Sequence, residues 1–180
     1  MLGGIQSLAY LLQKLDIERY FEAEKTGSFC LLILGALACA VACVLGLWLK
    51  SKWSIGLAIP LAVIGVVQLA VGAHVMRSAD KLRTDAVYAF DLDPNYLRNQ
   101  EVPRMTRVTK NFVYYTYLEI GIFIMGIVIM WINPSLNSNN LWNGLAWGMC
   151  IQSFILLVFD FLAAKRAETY LESIQNWLQR

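Results

Sequence analysis

Charged residues are scarce in this 180-residue chain. Only 16% of its residues are Asp, Glu, Lys or Arg, whereas 58% are hydrophobic, and the mean hydropathy is +0.51. A soluble domain needs a more polar surface than this composition supplies. The composition therefore excludes an ordinary soluble domain and indicates an integral membrane protein.

The chain also lacks the motifs on which most enzymes and cofactor proteins depend. It has one histidine and no HExxH, GxSxG or Walker sequence. The cysteines have no metal-site spacing, and all lie in apolar segments, where thiols act as small hydrophobic groups: Cys30, Cys39, Cys43 and Cys150. These absences predict a protein that is not an enzyme and binds no metal or other cofactor.

Positive charge is neither abundant nor concentrated. The net charge is +2 and no dense basic block is present, which excludes nucleic acid as a partner. A cleavable signal peptide is missing too, so we expect the first spanning segment to direct insertion. Only Lys50 and Lys52 lie in the first short loop, and the stretch NPSLNSNN has no basic residue. The positive-inside rule therefore predicts that both termini and the middle loop are cytoplasmic.

Four long apolar segments are present. A hydrocarbon layer about 30 Å thick needs roughly 20 helical residues, and residues 29–49, 55–76, 112–132 and 141–164 meet that length. Short polar links join the first segment to the second and the third to the fourth, which predicts two helical hairpins. The predicted fold is an all-α integral membrane four-helix bundle in a bacterial inner (plasma) membrane, with residues 29–180 forming the membrane domain.

The segments outside the spans are predicted to be helical as well. In residues 1–28, apolar side chains recur at spacings of three and four, which predicts an amphipathic helix lying on the cytoplasmic interface or, alternatively, docking a partner: Ile5, Leu8, Leu11, Leu12 and Leu15. In the middle loop, residues 77–111, we expect span two to continue as a helix, Asp93 to cap a short new helix, and Pro103 to begin the helix of span three. Residues 165–180 complete these cytoplasmic extensions.

Three ionisable residues lie inside the predicted spans, all in the cytoplasmic half: His74, Glu119 and Asp160. An acid inside a bilayer costs a few kcal/mol, so Glu119 should face the bundle interior and have a partner. One interpretation is a proton or cation site in which His74 titrates near neutral pH. The other is interhelical or partner hydrogen bonding, with a basic side chain reaching inward from the cytoplasmic edge.

Two functions from different classes follow. The leading hypothesis is a non-enzymatic membrane protein, surrounded by lipid, that binds a protein partner through its bundle and cytoplasmic helices. It would be an assembly subunit or an immunity-type protein against a membrane-acting toxin, with partner contacts at Arg98, Arg104 and Arg107. The alternative is a proton or ion conductor that uses the cluster of His74, Glu119 and Asp160. A single four-span chain encloses little space, so the conductor would act as a homo-oligomer.

Overall fold

A computed structural model describes the backbone of residues 2–133 and 140–179, and the side chains of residues 14–133 and 140–179. The helices are α1 (Leu2–Val44), α2 (Lys52–Leu92), α3 (Pro94–Tyr96), α4 (Val102–Ile132) and α5 (Leu141–Leu178). Two π-helical stretches, Leu45–Leu49 and Leu97–Glu101, continue α1 and lead into α4. Over the described residues the protein is therefore all-helical, as the sequence predicted.

Four of these helical segments are long and apolar enough to cross a membrane. Each is longer than its predicted span, because the flanking polar residues continue in the same helix. Residues 77–92 extend α2, as predicted for the beginning of the middle loop, and residues 165–178 extend α5, as predicted for the C-terminal segment. The protein thus consists of four long helical rods, which short links connect in sequence: Lys14–Leu49, Lys52–Leu92, Pro94–Ile132 and Leu141–Leu178.

Polar residues fix the boundaries of the middle helices. The Asp93 carboxylate accepts a hydrogen bond from the Tyr96 backbone N–H at 3.2 Å, which caps α3. Pro103 lies in the first turn of α4, a position that favours proline. Both predictions are confirmed. The predicted role of Pro134 in ending the third span lies outside the described residues.

That residues 1–28 lie on the membrane interface as an amphipathic segment stays a prediction, and the described backbone of residues 2–28 is helical. The helix α1 runs without interruption from this segment into the first span. Its described inner face, Ile17, Tyr20 and Phe21, is buried in a cluster with residues of α2 and α5. An apolar stripe has the same helical period whether it meets lipid or protein, so the sequence pattern did not distinguish the two. The side chains of residues 5–12 lie outside the described part.

The helices α2 and α5 lie side by side at the centre, with α1 packed along α2 and α4 packed along α5. Close contacts give the directions: Ser28–Gly72 and Gly35–Gly65 join α1 to α2, Gly56–Leu141 and Pro60–Gly148 join α2 to α5, and Gly126–Ala146 and Phe123–Cys150 join α4 to α5. The central helices therefore run parallel, and each outer helix runs antiparallel to its neighbour.

The bundle has two halves of different construction. The polar half comprises residues 14–28, 77–111 and 165–179, and it contains the hydrophobic core of large side chains. The buried members of this core come from all four rods: Ile17, Tyr20, Phe21, Ala86, Ala89, Phe90, Leu97, Met105, Ala167, Tyr170 and Ile174. Trp177 packs on Phe90 at 4.7 Å between ring centroids.

The apolar half, residues 29–76, 112–133 and 140–164, is held together by close backbone approach. A Cβ atom on Gly144 would overlap the Trp53 carbonyl oxygen, and one on Gly56 would overlap the Leu141 carbonyl oxygen. Only glycine allows the two backbones to approach so closely. These glycines thus pack α2 on α5 within one chain. The large apolar side chains of this half point outward.

Candidate functional site

The acid pair, Glu119 and Asp160, lies between α4 and α5 in the apolar half. Glu119 is on the face of α4 that packs against α5, and only 5% of the residue is exposed. Its carboxyl group interacts with that of half-buried Asp160. One oxygen of Glu119, Oε2, is buried without a hydrogen-bond partner. The helix packing therefore brings together two of the three ionisable residues that the sequence singled out.

His74 does not share their position. The buried residues of α2 recur at helical spacing through Gly65, Gln68 and Gly72, and this stripe faces the neighbouring helices. His74 follows Gly72 by two positions, about 200° around the helix, so its side chain points away from the stripe and is exposed. The predicted grouping of all three residues rested on depth alone, which does not fix the direction in which a side chain points.

A cavity of about 120 Å³ lies where the two halves of the bundle meet. All four long rods line it, and its polar groups come from α1 and α5: Tyr20, Glu24, Ser28, Asp160 and Arg166. This volume exceeds the roughly 10–15 Å³ that one water molecule requires, so the cavity has room for water. Asp160 thus belongs to the acid pair on one side and to the cavity wall on the other.

Glu24 is the acid on the polar side of this cavity. Burial raises its pKa above the ordinary value, while the charge of Arg104 and, to a smaller extent, that of Arg166 oppose the rise. Its Oε2 atom is buried without a hydrogen-bond partner. The Tyr20 hydroxyl lies near this carboxyl group and 3.8 Å from Met105 Sδ. Glu24 is therefore a partly buried acid with an uncommitted oxygen beside a space large enough for water.

Further polar residues continue from the acid pair toward the middle of the apolar half. Gln68 Nε2 donates a long hydrogen bond of 3.5 Å to Gln152 Oε1 between α2 and α5, and both residues are 2% exposed. Ser153, the residue after Gln152, is also buried. Gln152 lies about 12 Å along α5 from Asp160, at 1.5 Å per residue. On the side of Gln152 away from Asp160, α2 and α5 contact each other closely at Gly56 and Gly144. We call this contact the glycine crossing, and it closes the interior there.

The unpartnered polar atoms share one region. Among the described residues, buried side-chain atoms without a hydrogen-bond partner occur on five: Glu24, Gln68, Glu119, Gln152 and Ser153. Buried polar groups in folded proteins are normally paired, so a cluster of exceptions calls for a physical reason. All five lie between the polar side of the cavity and the middle of the apolar half. The unpartnered atoms therefore occur at three levels of the bundle, which are the cavity, the acid pair and the contact between Gln68 and Gln152.

The three arginines predicted to bind a partner have different environments. Arg104 points inward and makes two hydrogen bonds, of 2.7 and 2.8 Å, to Glu101, whose side chain is 4% exposed. Arg98 is exposed and donates to the Leu178 carbonyl oxygen at 3.3 Å. Arg107 is exposed. Arg104 is thus part of the internal structure, and two of the three arginines are exposed on the surface.

The sequence analysis missed Glu101 and Tyr170. The Tyr170 hydroxyl donates to Glu101 Oε1 at 3.0 Å, and the Tyr170 ring stacks on Tyr20 at 4.2 Å. Burial and the neighbouring Glu101 carboxylate raise the pKa of Tyr170 above its ordinary value, so it remains the donor. Burial alone would lower the pKa of Arg104, but its bond to Glu101 and that carboxylate's charge raise it. The spacing of Glu101 and Arg104 by three residues was the available signal.

Comparison with known proteins gives no match to a family model, to a curated protein or to a solved structure. Among the described residues, no group of three or more His, Cys, Asp or Glu side chains is placed to hold a metal ion. The chemistry of the site is therefore judged from its own groups, which are two neighbouring carboxyl groups, a third across a small cavity, and nearby guanidinium groups.

Proposed function

We propose that this chain is a non-enzymatic, proton-binding membrane protein, in which Glu119 and Asp160 together hold an exchangeable proton. The observation that carries the proposal is the unpartnered, buried Oε2 of Glu119 beside a second carboxyl group. Two carboxylates in contact repel each other, so such pairs commonly share a proton. A shared proton would also provide a donor where both groups otherwise only accept hydrogen bonds.

The location of the pair supports uptake from the side of the polar half. Asp160 lines the cavity, which adjoins the polar half, whereas the glycine crossing of α2 and α5 closes the other end. A single chain would therefore bind and release protons on one side of the membrane. Transfer across the membrane, the conductor considered above, would require a second copy or a rearrangement of α2 against α5.

The membrane placement belongs to the same proposal. Exposed tyrosines on α4 at Tyr114, Tyr115 and Tyr117 and exposed Trp131 at its far end are separated by about 24 Å, close to the spacing of the two bilayer interfaces. We propose two antiparallel hairpins spanning a bacterial inner membrane, with the polar half in the cytoplasm. A reporter fused after Arg180 should be cytoplasmic and one inserted at Asn139 external. Labelling of a cysteine in the middle loop from the periplasm would refute this orientation.

Infrared titration of the purified protein tests proton binding directly, because protonated carboxyl groups have a C=O band that carboxylates lack. We expect a band that titrates with pH in wild type and changes in both Glu119→Gln and Asp160→Asn. Glu168→Gln is the matched control, since Glu168 is exposed on the same helix as Asp160. A titration unaffected by either substitution in the pair would overturn the proposal. Proton flux in proteoliposomes would separately identify conduction, which should disappear in Glu119→Gln.

A second function is favoured by the exposed arginines of the polar half. We propose that Arg98 and Arg107 contact a protein partner, as an assembly subunit or an immunity-type protein would. Charge reversal at both should reduce the partner that co-purifies with the protein without changing its helical content. Reversal of exposed Lys50, at the opposite end of the bundle, is the control. Unchanged co-purification with both arginines reversed would remove the support for this surface.

A further inference from the structure

Glu24 and Asp160 line the same cavity from different helices and from different halves of the bundle. Glu24 lies on α1 in the polar half, Asp160 lies on α5 in the apolar half, and both line the same space of about 120 Å³. Water molecules in such a space join polar groups that do not touch each other directly. The uncommitted Glu24 Oε2 gives that chain of hydrogen bonds a terminus on the polar side.

We infer that Glu24 is the proton-loading residue of the acid pair: it exchanges protons with the polar side and passes them through the cavity to Asp160 and Glu119. The inference rests on the proposed proton binding and adds the route by which the proton arrives. In each transfer, one carboxylic acid loses a proton and one carboxylate gains it, with water as the carrier. The net charge of the route is unchanged and no other reactant is required.

The surroundings suit Glu24 to this role. An effective proton carrier titrates near the working pH, and burial moves the pKa of Glu24 upward from its ordinary acidic value. The charged and titratable groups around it come from its own helix, from the stretch leading into α4, from α4 and from α5: Tyr20, Glu101, Arg104, Asp160 and Arg166. The cavity residues contributed by α2 are Val71 and Val75, which do not titrate.

Arg166 lies beside this route because Gly27 of α1 has no side chain to displace it. Its Nη2 atom lies 3.1 Å from the position that a Cβ on Gly27 would occupy, so the guanidinium packs on the bare backbone. Its charge opposes the rise in the pKa of Glu24, which keeps the carboxyl group able to release its proton. Arg166 therefore acts as a positioning residue for proton release, and the absence of a side chain at Gly27 permits that position.

The rate of proton exchange tests the role of Glu24 separately from proton binding itself. After a rapid pH change, the carboxyl band of the acid pair should follow more slowly in Glu24→Gln than in wild type, by roughly 100-fold, which is the lower end of what a positioned acid–base group contributes. The midpoint of the equilibrium titration should move little. Glu24→Asp should restore part of the rate, and Glu22→Gln, at an exposed position of the same helix, should leave it unchanged.

A second variant examines the position of Arg166. Gly27→Leu keeps every charged group but displaces the guanidinium, and it should slow proton release more than proton uptake. Gly121→Leu is the control, because a Cβ at that helical glycine meets no atom within 4 Å. An unchanged exchange rate in folded Glu24→Gln would overturn the inference while leaving proton binding by the pair intact. If wild type showed no titrating band, both the proposed function and this route would fail.

Discussion

Gly144 offers a direct test of the backbone contact that closes the apolar half. In Gly144→Ala, the new methyl group overlaps the Trp53 carbonyl oxygen and lies 2.9 Å from the Leu57 backbone nitrogen. Both are backbone atoms of α2, so no side-chain rotation relieves the overlap. The central helices must separate by on the order of 1 Å to restore an ordinary contact distance.

Two opposing effects set the magnitude of this change. Alanine is favoured over glycine in a helix by about 1 kcal/mol, which would stabilise the variant. Overpacking of a close contact costs about 1–3 kcal/mol, and backbone overlap places this site at the upper end of that range. We therefore expect a net loss of about 1–2 kcal/mol. At Gly121 the methyl group meets nothing within 4 Å, so Gly121→Ala should be neutral or stabilising.

Unfolding in detergent with increasing SDS, followed by circular dichroism, measures the difference between the two variants. Gly56→Ala should resemble Gly144→Ala, since Gly56 meets α5 at the same crossing. The double variant should lose less than the sum of the single losses, because one separation of the helices makes room for both methyl groups. If Gly144→Ala were as stable as Gly121→Ala, the close approach of α2 and α5 described here would be wrong.

Three further predictions concern the polar half. Arg104→Ala should destabilise the protein by about 2–4 kcal/mol in chemical unfolding, because it leaves buried Glu101 without its counter-charge, and Arg104→Lys should restore only part of the loss. Tyr170→Phe removes one hydrogen bond to that carboxylate and should cost about 1–2 kcal/mol in the same assay, and a loss below measurement error would show that the bond contributes nothing. Glu24 has a pKa raised by burial, so the stability it contributes is complete below its ordinary pKa and is lost as the pH rises through the raised value. Glu24→Gln should therefore gain stability relative to wild type between acidic and alkaline pH, and a difference independent of pH would contradict this sign.

The helices and their boundaries were predictable because local signals specify them. Asp93 followed by proline and Pro103 in a first turn each act through the backbone of their own segment, and both were identified correctly. The continuity of α1 was not predicted, because an amphipathic period does not say what its apolar face meets. Ile17 and Phe21 face α2 and α5, whose relevant residues lie more than 60 positions away in sequence.

The site was only partly predictable for a related reason. Glu119 attracted attention because an acid in an apolar run needs a partner, and the structure brings it near Asp160. The position of His74 depends on the rotation of α2, which its glycine contacts set. Glu24 lies in a segment that the sequence predicted to be an interfacial helix, so its position beside the cavity had no signal in the linear sequence. Arg104 was predicted to contact another protein because its salt bridge with Glu101 was not foreseen.

The composition of the hydrophobic core in the polar half has a consequence for biosynthesis. Tyr20 and Phe21, near the beginning of the chain, are covered by Tyr170 of α5, at ring-centroid distances of 4.2 and 5.7 Å. During translation, α1 is made long before α5, so the part of its aromatic face that Tyr170 covers stays exposed until α5 is made. A chain that stalled before α5 would display that part to chaperones and proteases. Docking of α5 thus conceals an aromatic surface that a chain stalled earlier would expose.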